Sequence, residues 1–270
     1  LDCKNKTIQG DGILVQRTEY IHFKGLTVRN NKQKMKNDMY ASGFAFQNGI
    51  GLIIENCVSY NNGTRGFHLA EITSAIVLNC DSYNNIDSLT TETFPGNHGN
   101  GLMITGHTTG QPFDGNVTII GCRSWGNSDS GFNSNYGGFE RWENCWSWDN
   151  GRLRGEGEGF KYTPAAWLGA GVLSRKIHNC IAAVNKTIGF DENSNEFDYC
   201  NNEVDNNTSY GNGGEGFVTY PMGFNATRTS RLIRNNISYG NSAPFNWYWD
   251  NHPTDLNNSW NNPPGVTLSD

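Results

Sequence analysis

Apolar residues in this chain come in short runs that do not follow helical spacing. Runs of three or four residues rich in β-branched side chains, at 52–54, 76–78 and 117–120, are each followed within two residues by Asn or Gly. No window keeps apolar residues at i, i+3, i+4 and i+7 for three turns, as an amphipathic helix would. Short runs bounded by turn-forming residues predict β-strands, so we expect an all-β protein.

These strands belong to a repeated phrase. An Asn-Cys-x-Ser-aromatic segment, as at 144–148, is followed further along by Gly and an apolar residue, usually Phe, and seven or eight copies can be aligned. From Cys57 to Cys80 is 23 positions, and the same interval recurs later. Repetition at a period of a few tens of residues is typical of solenoids. The sequence therefore predicts a single domain, residues 1–270, folded as a parallel β-helix of about eight coils, with strands about 4.8 Å apart.

In such a solenoid the same position of successive coils stacks, so like side chains form ladders. The predicted aromatic ladder contains Tyr60, Tyr83, Trp125 and Trp148, continued by Tyr210 and Tyr239. An asparagine ladder at a bend, where Asn tolerates left-handed backbone angles, contains Asn62, Asn85, Asn127, Asn150, Asn185, Asn212 and Asn241. A shared repeat position predicts a row of buried thiols, rather than a disulfide framework, for Cys57, Cys80, Cys122, Cys145 and Cys180.

Charge and length exclude several classes of protein. The 270 residues carry 20 Lys and Arg against 26 Asp and Glu, a net charge of −6, so no general basic field would attract nucleic acid. The chain contains no run of about 18 apolar residues, so we expect no membrane span.

Four insertions rich in Gly, Thr, Pro and charged residues interrupt the repeat. We expect them to be long loops on one side of the β-helix, and they lie at 87–98, 107–115, 152–158 and 164–171.

The residue after Gly-Phe points outward if Phe points into the core. This column contains Ala45, His68, Met103, Asn133, Lys161, Asp191 and Val218. It places Lys161 between an amide and a carboxylate, with Glu158 nearby, and the flanking insertions would wall this face into a groove. Tyr162 and Trp167 would offer sugar-stacking surfaces there. Spacing alone favours a solvated lysine neutralised by Asp191, so the functional interpretation depends on the groove.

Several of these segments resemble family 9 polysaccharide lyases. They are Asn-Cys-Asp-Ser-Tyr-Asn-Asn at 79–85, Cys-Arg-Ser-Trp-Gly-Asn-Ser-Asp at 122–129, Gly-Phe-Lys at 159–161, Gly-Phe-Asp-Glu-Asn at 189–193, and the ending 258–270. The resemblance runs in order over nearly the whole chain. It implies a right-handed parallel β-helix that cleaves a pectic polysaccharide, polygalacturonate or the rhamnogalacturonan backbone, by β-elimination, with Lys161 as the Brønsted base. It also implies a secreted, periplasmic or cell-surface protein. Because the sequence begins at Leu1 without an initiator Met, we expect a mature or excised domain, and we expect a monomer.

The resemblance also implies a calcium site, and here the chain departs from the family pattern. The corresponding positions retain one of four expected carboxylates and are Asn100, Asp129, Ser130 and Asn133. Because calcium takes six to eight oxygen ligands with several carboxylates among them, we expect weak binding or none. An arginine such as Arg154 or Arg175 would then bind the substrate carboxylate.

Two other functions remain open. A glycoside hydrolase on the same scaffold would use paired carboxylates such as Asp129, Glu158 and Asp191. A glycan-binding solenoid without catalysis would fit the depleted acidic cluster. For the lyase, an unperturbed lysine is mostly protonated near neutral pH, which predicts an alkaline optimum, and Asn133, Glu158 and Asp191 would contact the acidic polysaccharide.

Overall fold

Short strands are almost the only regular elements in the part of the chain that the structure describes. The computed structural model describes residues 1–7, 9–37, 39–91, 95–106, 115–135, 138–163, 173–193, 201–220, 231–248 and 253–261. The strands are β1 (Ile13–Gln16), β2 (His22–Lys24), β3 (Thr27–Arg29), β4 (Phe44–Gln47), β5 (Leu52–Glu55), β6 (Val58–Tyr60), β7 (Phe67–Ala70), β8 (Ser74–Leu78), β9 (Asp81–Tyr83), β10 (Leu102–Thr105), β11 (Asn116–Ile120), β12 (Arg123–Trp125), β13 (Phe132–Asn135), β14 (Phe139–Glu143), β15 (Trp146–Trp148), β16 (Phe160–Tyr162), β17 (Leu173–His178), β18 (Ile181–Ala183), β19 (Phe190–Asp191), β20 (Asn201–Asp205), β21 (Thr208–Tyr210), β22 (Glu215–Thr219), β23 (Arg231–Arg234), β24 (Ile237–Tyr239), β25 (Ala243–Trp247) and β26 (Thr254–Leu256). A 3₁₀ turn at Ser259–Asn261 follows.

The strands form three parallel sheets, and successive strands of the chain belong to different sheets. Sheet 1 has the order β1-β4-β7-β10-β13-β16-β19-β22-β25, sheet 2 the order β2-β5-β8-β11-β14-β17-β20-β23-β26, and sheet 3 the order β3-β6-β9-β12-β15-β18-β21-β24. Each of the first eight coils therefore contributes one strand to each sheet, and β25 and β26 add a ninth strand to sheets 1 and 2. This arrangement confirms the predicted parallel β-helix of about eight coils.

The interior is filled by columns of like residues from successive coils. In sheet 1 the phenylalanine rings stack with centroids 4.8 to 4.9 Å apart, from Phe44 to Phe67 and from Phe132 through Phe160 and Phe190 to Phe217. The predicted thiol row is also present: all five cysteines are buried and free, and the Cys57 backbone N–H donates to the Cys80 Sγ at 3.4 Å. Coil-after-coil stacking of apolar groups supplies the hydrophobic core.

The asparagine ladder lies at a bend of every coil and is fully buried in the middle of the β-helix. The Asn127 side chain donates to the Ser124 hydroxyl and to the Asn150 Oδ1, both at 3.0 Å, and it accepts from the Asn85 backbone and side-chain amides. Each amide thus satisfies the backbone of the preceding coil as well as its own neighbours. The predicted ladder is confirmed from Asn62 to Asn241.

The aromatic ladder is confirmed for its first four members and interrupted afterwards. Ring centroids lie 4.7, 4.4 and 4.6 Å apart along Tyr60, Tyr83, Trp125 and Trp148. Ala183 takes the next position, in register with Trp148, so Tyr210 and Tyr239 form a separate pair with centroids 5.9 Å apart. The expectation of one continuous stack was wrong, because a methyl group cannot bridge two coils as a ring does.

The predicted insertions are described to different extents. Residues 152–158 are described throughout and 87–98 except 92–94, whereas nearly all of 107–115 and the whole of 164–171 lie outside the described residues. In the described part of the chain, no helix is long and apolar enough to cross a membrane.

Candidate active site

The outward column of sheet 1 forms the floor of a cavity. The pairing registers align Met103 with Asn133, Asn133 with Lys161, and Lys161 with Asp191, as the Gly-Phe pattern predicts. The cavity has a volume of about 390 Å³, and Arg65, Met103, Asn133 and Lys161 are among its lining residues. A groove large enough for part of a sugar chain therefore lies over the position that the sequence singled out.

The loop at 152–158 forms one wall of this cavity and is held close to the β-helix. The Glu156 backbone N–H donates to the Asp129 Oδ1 at 3.1 Å, and the Glu156 carbonyl accepts from the Thr187 hydroxyl at 2.8 Å. Gly155 permits this approach, because a Cβ there would lie 1.7 Å from the Ser128 carbonyl oxygen. The loop thereby carries the Glu156 carboxylate to Lys161.

Lys161 is an ammonium ion bound by two glutamates. Its Nζ donates to the Glu156 carboxylate and lies 3.4 Å from the Glu158 Oε1, and its side chain is 12% exposed. Burial alone would lower the pKa of Lys161, but the charges of Glu158, Glu156 and Asp191 outweigh burial and raise that pKa above its ordinary value. In the free protein Lys161 is therefore protonated over a wide pH range.

The carboxylates around Lys161 are crowded. One oxygen from each of Asp129, Glu156 and Glu158 lies within 4.8 Å of the others. Burial, followed by the nearby charge of Glu158, raises the pKa of Asp129 well above its ordinary value and raises that of Asp191 to about 7. Burial also raises the pKa of Glu158. The cluster contains more carboxyl groups than one ammonium can neutralise, which favours either a bound proton or an additional cation.

The oxygen donors of this cluster fit a hard divalent cation. Besides the three carboxylates, the Asn133 Oδ1 is buried and has no hydrogen-bond partner, while its Nδ2 donates to the Asn100 Oδ1 at 3.1 Å. Calcium prefers such carboxylate and amide oxygens. Sequence reasoning counted only Asp129 as a surviving calcium carboxylate; it missed Glu156 altogether and gave Glu158 a role in substrate binding without counting it among the calcium ligands.

Three of the four predicted calcium positions line the cavity, and the fourth does not appear among its described lining residues. Asn100, Asp129 and Asn133 all line the cavity. Ser130 is buried, and its hydroxyl donates to the Glu158 Oε2 at 2.7 Å, so it supports a carboxylate of the cluster.

Two predicted substrate-binding side chains are unavailable to a ligand. Tyr162 is 1% exposed, because the alternation that points Lys161 outward turns Tyr162 inward beside Phe160. Arg175 is 0% exposed, donates to the carbonyl oxygens of Gly138 and Thr163, and pairs with Glu140 at 3.4 Å. The predictions of a sugar platform at Tyr162 and of a substrate-binding Arg175 were wrong.

The other predicted contacts differ in position. Arg154 is exposed and its backbone N–H donates to the Pro95 carbonyl oxygen at 3.0 Å; its role stays a prediction. Asp191 is more buried than a member of the outward column is expected to be, and Glu158 is buried as well. The charges of both raise the pKa of Lys161. Trp167 lies outside the described residues.

Arg65 is a cavity residue that sequence reasoning missed. It precedes Gly66-Phe67, as Glu158 precedes Gly159-Phe160, and backbone hydrogen bonds stack this position through Arg65, Asn100, Ser130 and Glu158. The same position thus changes from cation to amide to hydroxyl to carboxylate over four coils. That change within an otherwise repetitive sequence was a signal that could have identified Arg65.

Comparison with known proteins gives a consistent picture. A family model described as the Pel9A-like right-handed β-helix region matches residues 1–262. Two relatives called pectate lyase L, from Dickeya chrysanthemi and Dickeya dadantii strain 3937, are 29% and 28% identical to this chain. Each alignment covers 93% of this chain and 54% of the relative. The chain therefore spans about half the length of these relatives.

Solved structures show the same fold. A crystal structure of pectate lyase Pel9A superposes with a TM-score of 0.68 at 25% identity, over 96% of this chain and 58% of that one. A rhamnogalacturonan lyase superposes with a TM-score of 0.72 at 21% identity, over 99% of this chain and 68% of that one. The latter identity is low enough that the likeness concerns the fold alone.

Proposed function

The chain belongs to the Pel9A-like right-handed β-helix family, and from this membership we propose that it is a polysaccharide lyase that cleaves a uronic-acid polysaccharide by β-elimination. The relatives named pectate lyase support this class of activity. The observation that carries the proposal is the position of Lys161, the one lysine among the described residues that line the cavity. Lys161 is the proposed Brønsted base.

Elimination from a uronate requires removal of the proton on C5 and departure of the oxygen on C4. The adjacent carboxylate makes the proton hard to remove, so the reaction needs a positioned base and positive charge near that carboxylate. The Lys161 Nζ must release its own proton before it acts as the base. Because Glu156 and Glu158 raise the pKa of Lys161, activity should rise toward alkaline pH.

The acidic cluster is the proposed place for calcium. Asp129, Glu156 and Glu158 would hold the ion, with the Asn133 amide oxygen as a neutral ligand. When bound, calcium would supply positive charge for the substrate carboxylate. Asn133 and Asp191 flank Lys161 along the floor, which supports a proposed role for them in orienting the sugar unit on either side of the base.

A glycoside hydrolase is the second candidate, and one observation favours it. Asp129 and Glu158 are buried carboxyl groups with raised pKa values, which is the property of a general acid in such enzymes. The presence of Lys161 among these groups favours the lyase, because hydrolysis by two carboxylates has no role for an amine.

The proposed function is tested with a panel of polymers. Polygalacturonate, the rhamnogalacturonan backbone and a neutral glycan are incubated with the protein, with calcium or with a chelator, and the ultraviolet absorbance of unsaturated uronate is followed. We expect absorbance to rise with one of the galacturonate-containing polymers and to fall with chelation. New reducing ends without this absorbance would indicate a hydrolase, and binding without any product would indicate a glycan-binding protein.

A polymeric substrate also bears on location. A polysaccharide of this kind does not cross a membrane, so we propose that the protein acts outside the cytoplasm, as a secreted, periplasmic or cell-surface protein. Cell fractionation with detection of the full-length protein checks this.

A further inference from the structure

Three buried arginines occur in the described residues, and their surroundings differ sharply. Arg231 forms a two-bond ion pair with Glu192, with distances of 2.7 and 2.6 Å from its Nε and Nη2. Arg175 donates to the Gly138 and Thr163 carbonyl oxygens at 2.5 and 2.6 Å and pairs with Glu140. Both therefore compensate the loss of water with strong acceptors.

Arg65 is also buried, at 6% exposure, but its acceptors are two thioether sulfurs and one carbonyl oxygen at a long distance. Its Nε donates to the Met103 sulfur at 2.8 Å, its Nη2 to the Met39 sulfur at 3.6 Å, and its Nη1 to the Met39 carbonyl oxygen at 3.5 Å. A thioether is a poor acceptor, and a guanidinium has five N–H groups to satisfy. Within the described residues, no carboxylate forms an ion pair with Arg65.

Such an environment is costly for a cation. Burial is the largest influence on the pKa of Arg65 and lowers it, against the charges of Asp11, Asp129 and Asp87, which raise it. A buried charge without strong acceptors destabilises a fold unless another group pairs with it. Arg65 lines the same cavity as Lys161, so a molecule in that cavity can supply the missing acceptor.

The cavity is lined by two cationic side chains of different type. Arg65 is the one arginine and Lys161 the one lysine among its described lining residues. Glu156 and Glu158 already bind Lys161. Arg65 has no such carboxylate partner among the described residues, so its N–H groups can still donate to a ligand in the cavity. The two residues lie three coils apart, so their backbones are separated by about 14 Å along the helix axis. A chain molecule is needed to contact both residues at once.

We propose that Arg65 binds the carboxylate of a uronate unit distant from the cleaved bond. Planar guanidinium and carboxylate groups match in two parallel hydrogen bonds, and the burial of Arg65 limits competition from water for this pair. This inference rests on the proposed function, because it takes the occupant to be an acidic polysaccharide. Arg65 then selects polymers with free carboxylates over esterified ones and contributes to affinity rather than to the chemical step.

Binding of a short oligogalacturonate tests the role of Arg65. Calorimetry is performed in a Lys161→Met background, which prevents turnover, with hexagalacturonate and with its methyl ester as the neutral probe. Arg65→Met replaces the cation with a neutral chain that fits between Met39 and Met103. We expect this change to weaken hexagalacturonate binding at least tenfold and to leave binding of the ester unchanged. The melting temperature should stay the same or rise, because an uncompensated buried charge is removed.

Arg123→Met is the matched control, since it removes the same charge from a mostly exposed pair with Asp81 in sheet 3, and Arg154→Met tests the other arginine that the sequence offers for the substrate carboxylate. If Arg154→Met weakens binding and Arg65→Met does not, the Arg65 inference is overturned and the carboxylate contact belongs to Arg154. A lower melting temperature for Arg65→Met with unchanged affinity also overturns it, in favour of a structural role.

Arg65→Lys provides a second variant that keeps the charge but loses the two-bond geometry. Its affinity for hexagalacturonate should fall between that of the protein with Arg65 and that of Arg65→Met.

The outcomes distinguish the carboxylate contact at Arg65 from the proposed lyase activity. Loss of binding in Arg65→Met supports the carboxylate contact even if the wild-type protein forms no unsaturated product. Product formation by the wild-type protein together with unchanged binding in Arg65→Met overturns the inference and leaves the lyase in place. If the protein binds neither oligomer, both proposals are contradicted.

Discussion

The asparagine ladder and the cavity floor pass through the same coils, yet their residues follow opposite rules. In the ladder one residue type repeats from Asn62 to Asn241, and each amide bonds to the next. On the floor the residue changes at nearly every coil, from Met103 to Asn133 to Lys161. Parallel backbone pairing fixes the register of both. Repetition of a side chain therefore indicates a structural role, and its change from coil to coil indicates chemistry.

Exchange of the floor lysine should have the largest effect. Lys161→Met removes the proposed base, and because general base catalysis contributes roughly 10²- to 10⁴-fold, we expect kcat to fall about 10³-fold in the assay for unsaturated uronate. Lys176→Met is the control, since Lys176 forms a partly exposed pair with Glu203 at 3.0 Å in sheet 2. Equal loss of activity in both variants would contradict a specific role for Lys161.

The ladder should respond in stability instead of activity. Asn127→Ala leaves the Asn85 backbone N–H without a partner and removes one hydrogen bond each from the Asn85 side-chain amide and the Asn150 Oδ1, and a buried unsatisfied group costs about 1–3 kcal/mol. We expect the free energy of unfolding to fall by about 3 kcal/mol in denaturant titrations, with kcat of the folded protein unchanged. Asn241→Ala, at the partly exposed end of the ladder, should cost less because water replaces the lost amide.

Glu156→Gln should shift the pH dependence of activity. The charge of Glu156 helps to raise the pKa of Lys161, so its removal lowers that pKa and moves the rising limb of kcat/KM, on which Lys161 loses its proton, to lower pH. In the folded protein the ion pair is stabilising below the ordinary pKa range of lysine and is lost as the pH rises above the folded-state value. A pH profile identical to that of the wild-type protein would contradict Lys161 as the titrating base.

The smallest effect is expected in the aromatic ladder. Trp125 stacks between Tyr83 and Trp148, with ring centroids at 4.4 and 4.6 Å, and such pairs contribute about 0.5–1.5 kcal/mol each beyond area burial. Trp125→Leu should lower the melting temperature by a few degrees, measured by circular dichroism, and leave activity intact. A loss of activity at full stability would show that the rings bind substrate.

Sequence reasoning predicted the features that repetition determines. The parallel coils, the buried thiols and the amide ladder each follow from like residues at one period, and the position of Lys161 follows from the alternation after Gly-Phe. The same alternation, applied one residue further, would also have predicted that Tyr162 points inward.

The wrong predictions arose where the repeat is broken. Arg175 lies in β17 next to a register irregularity between Leu173 and Arg175, so two successive residues, Ser174 and Arg175, are both buried. The alternation of inward and outward residues along a strand does not predict two successive buried residues. Glu156 was missed because it lies in an insertion, and the way that loop folds back to Asp129 depends on contacts that its own sequence does not specify.

Product masses from a defined oligomer test the central claim most directly. The wild-type protein is incubated with hexagalacturonate, and the fragments are analysed by mass spectrometry. Elimination conserves mass, so the two fragments should add up to the mass of the substrate, and one of them should carry a double bond at its non-reducing end. Fragments that together exceed the substrate by the mass of one water would show hydrolysis and would contradict Lys161 as the base of a lyase.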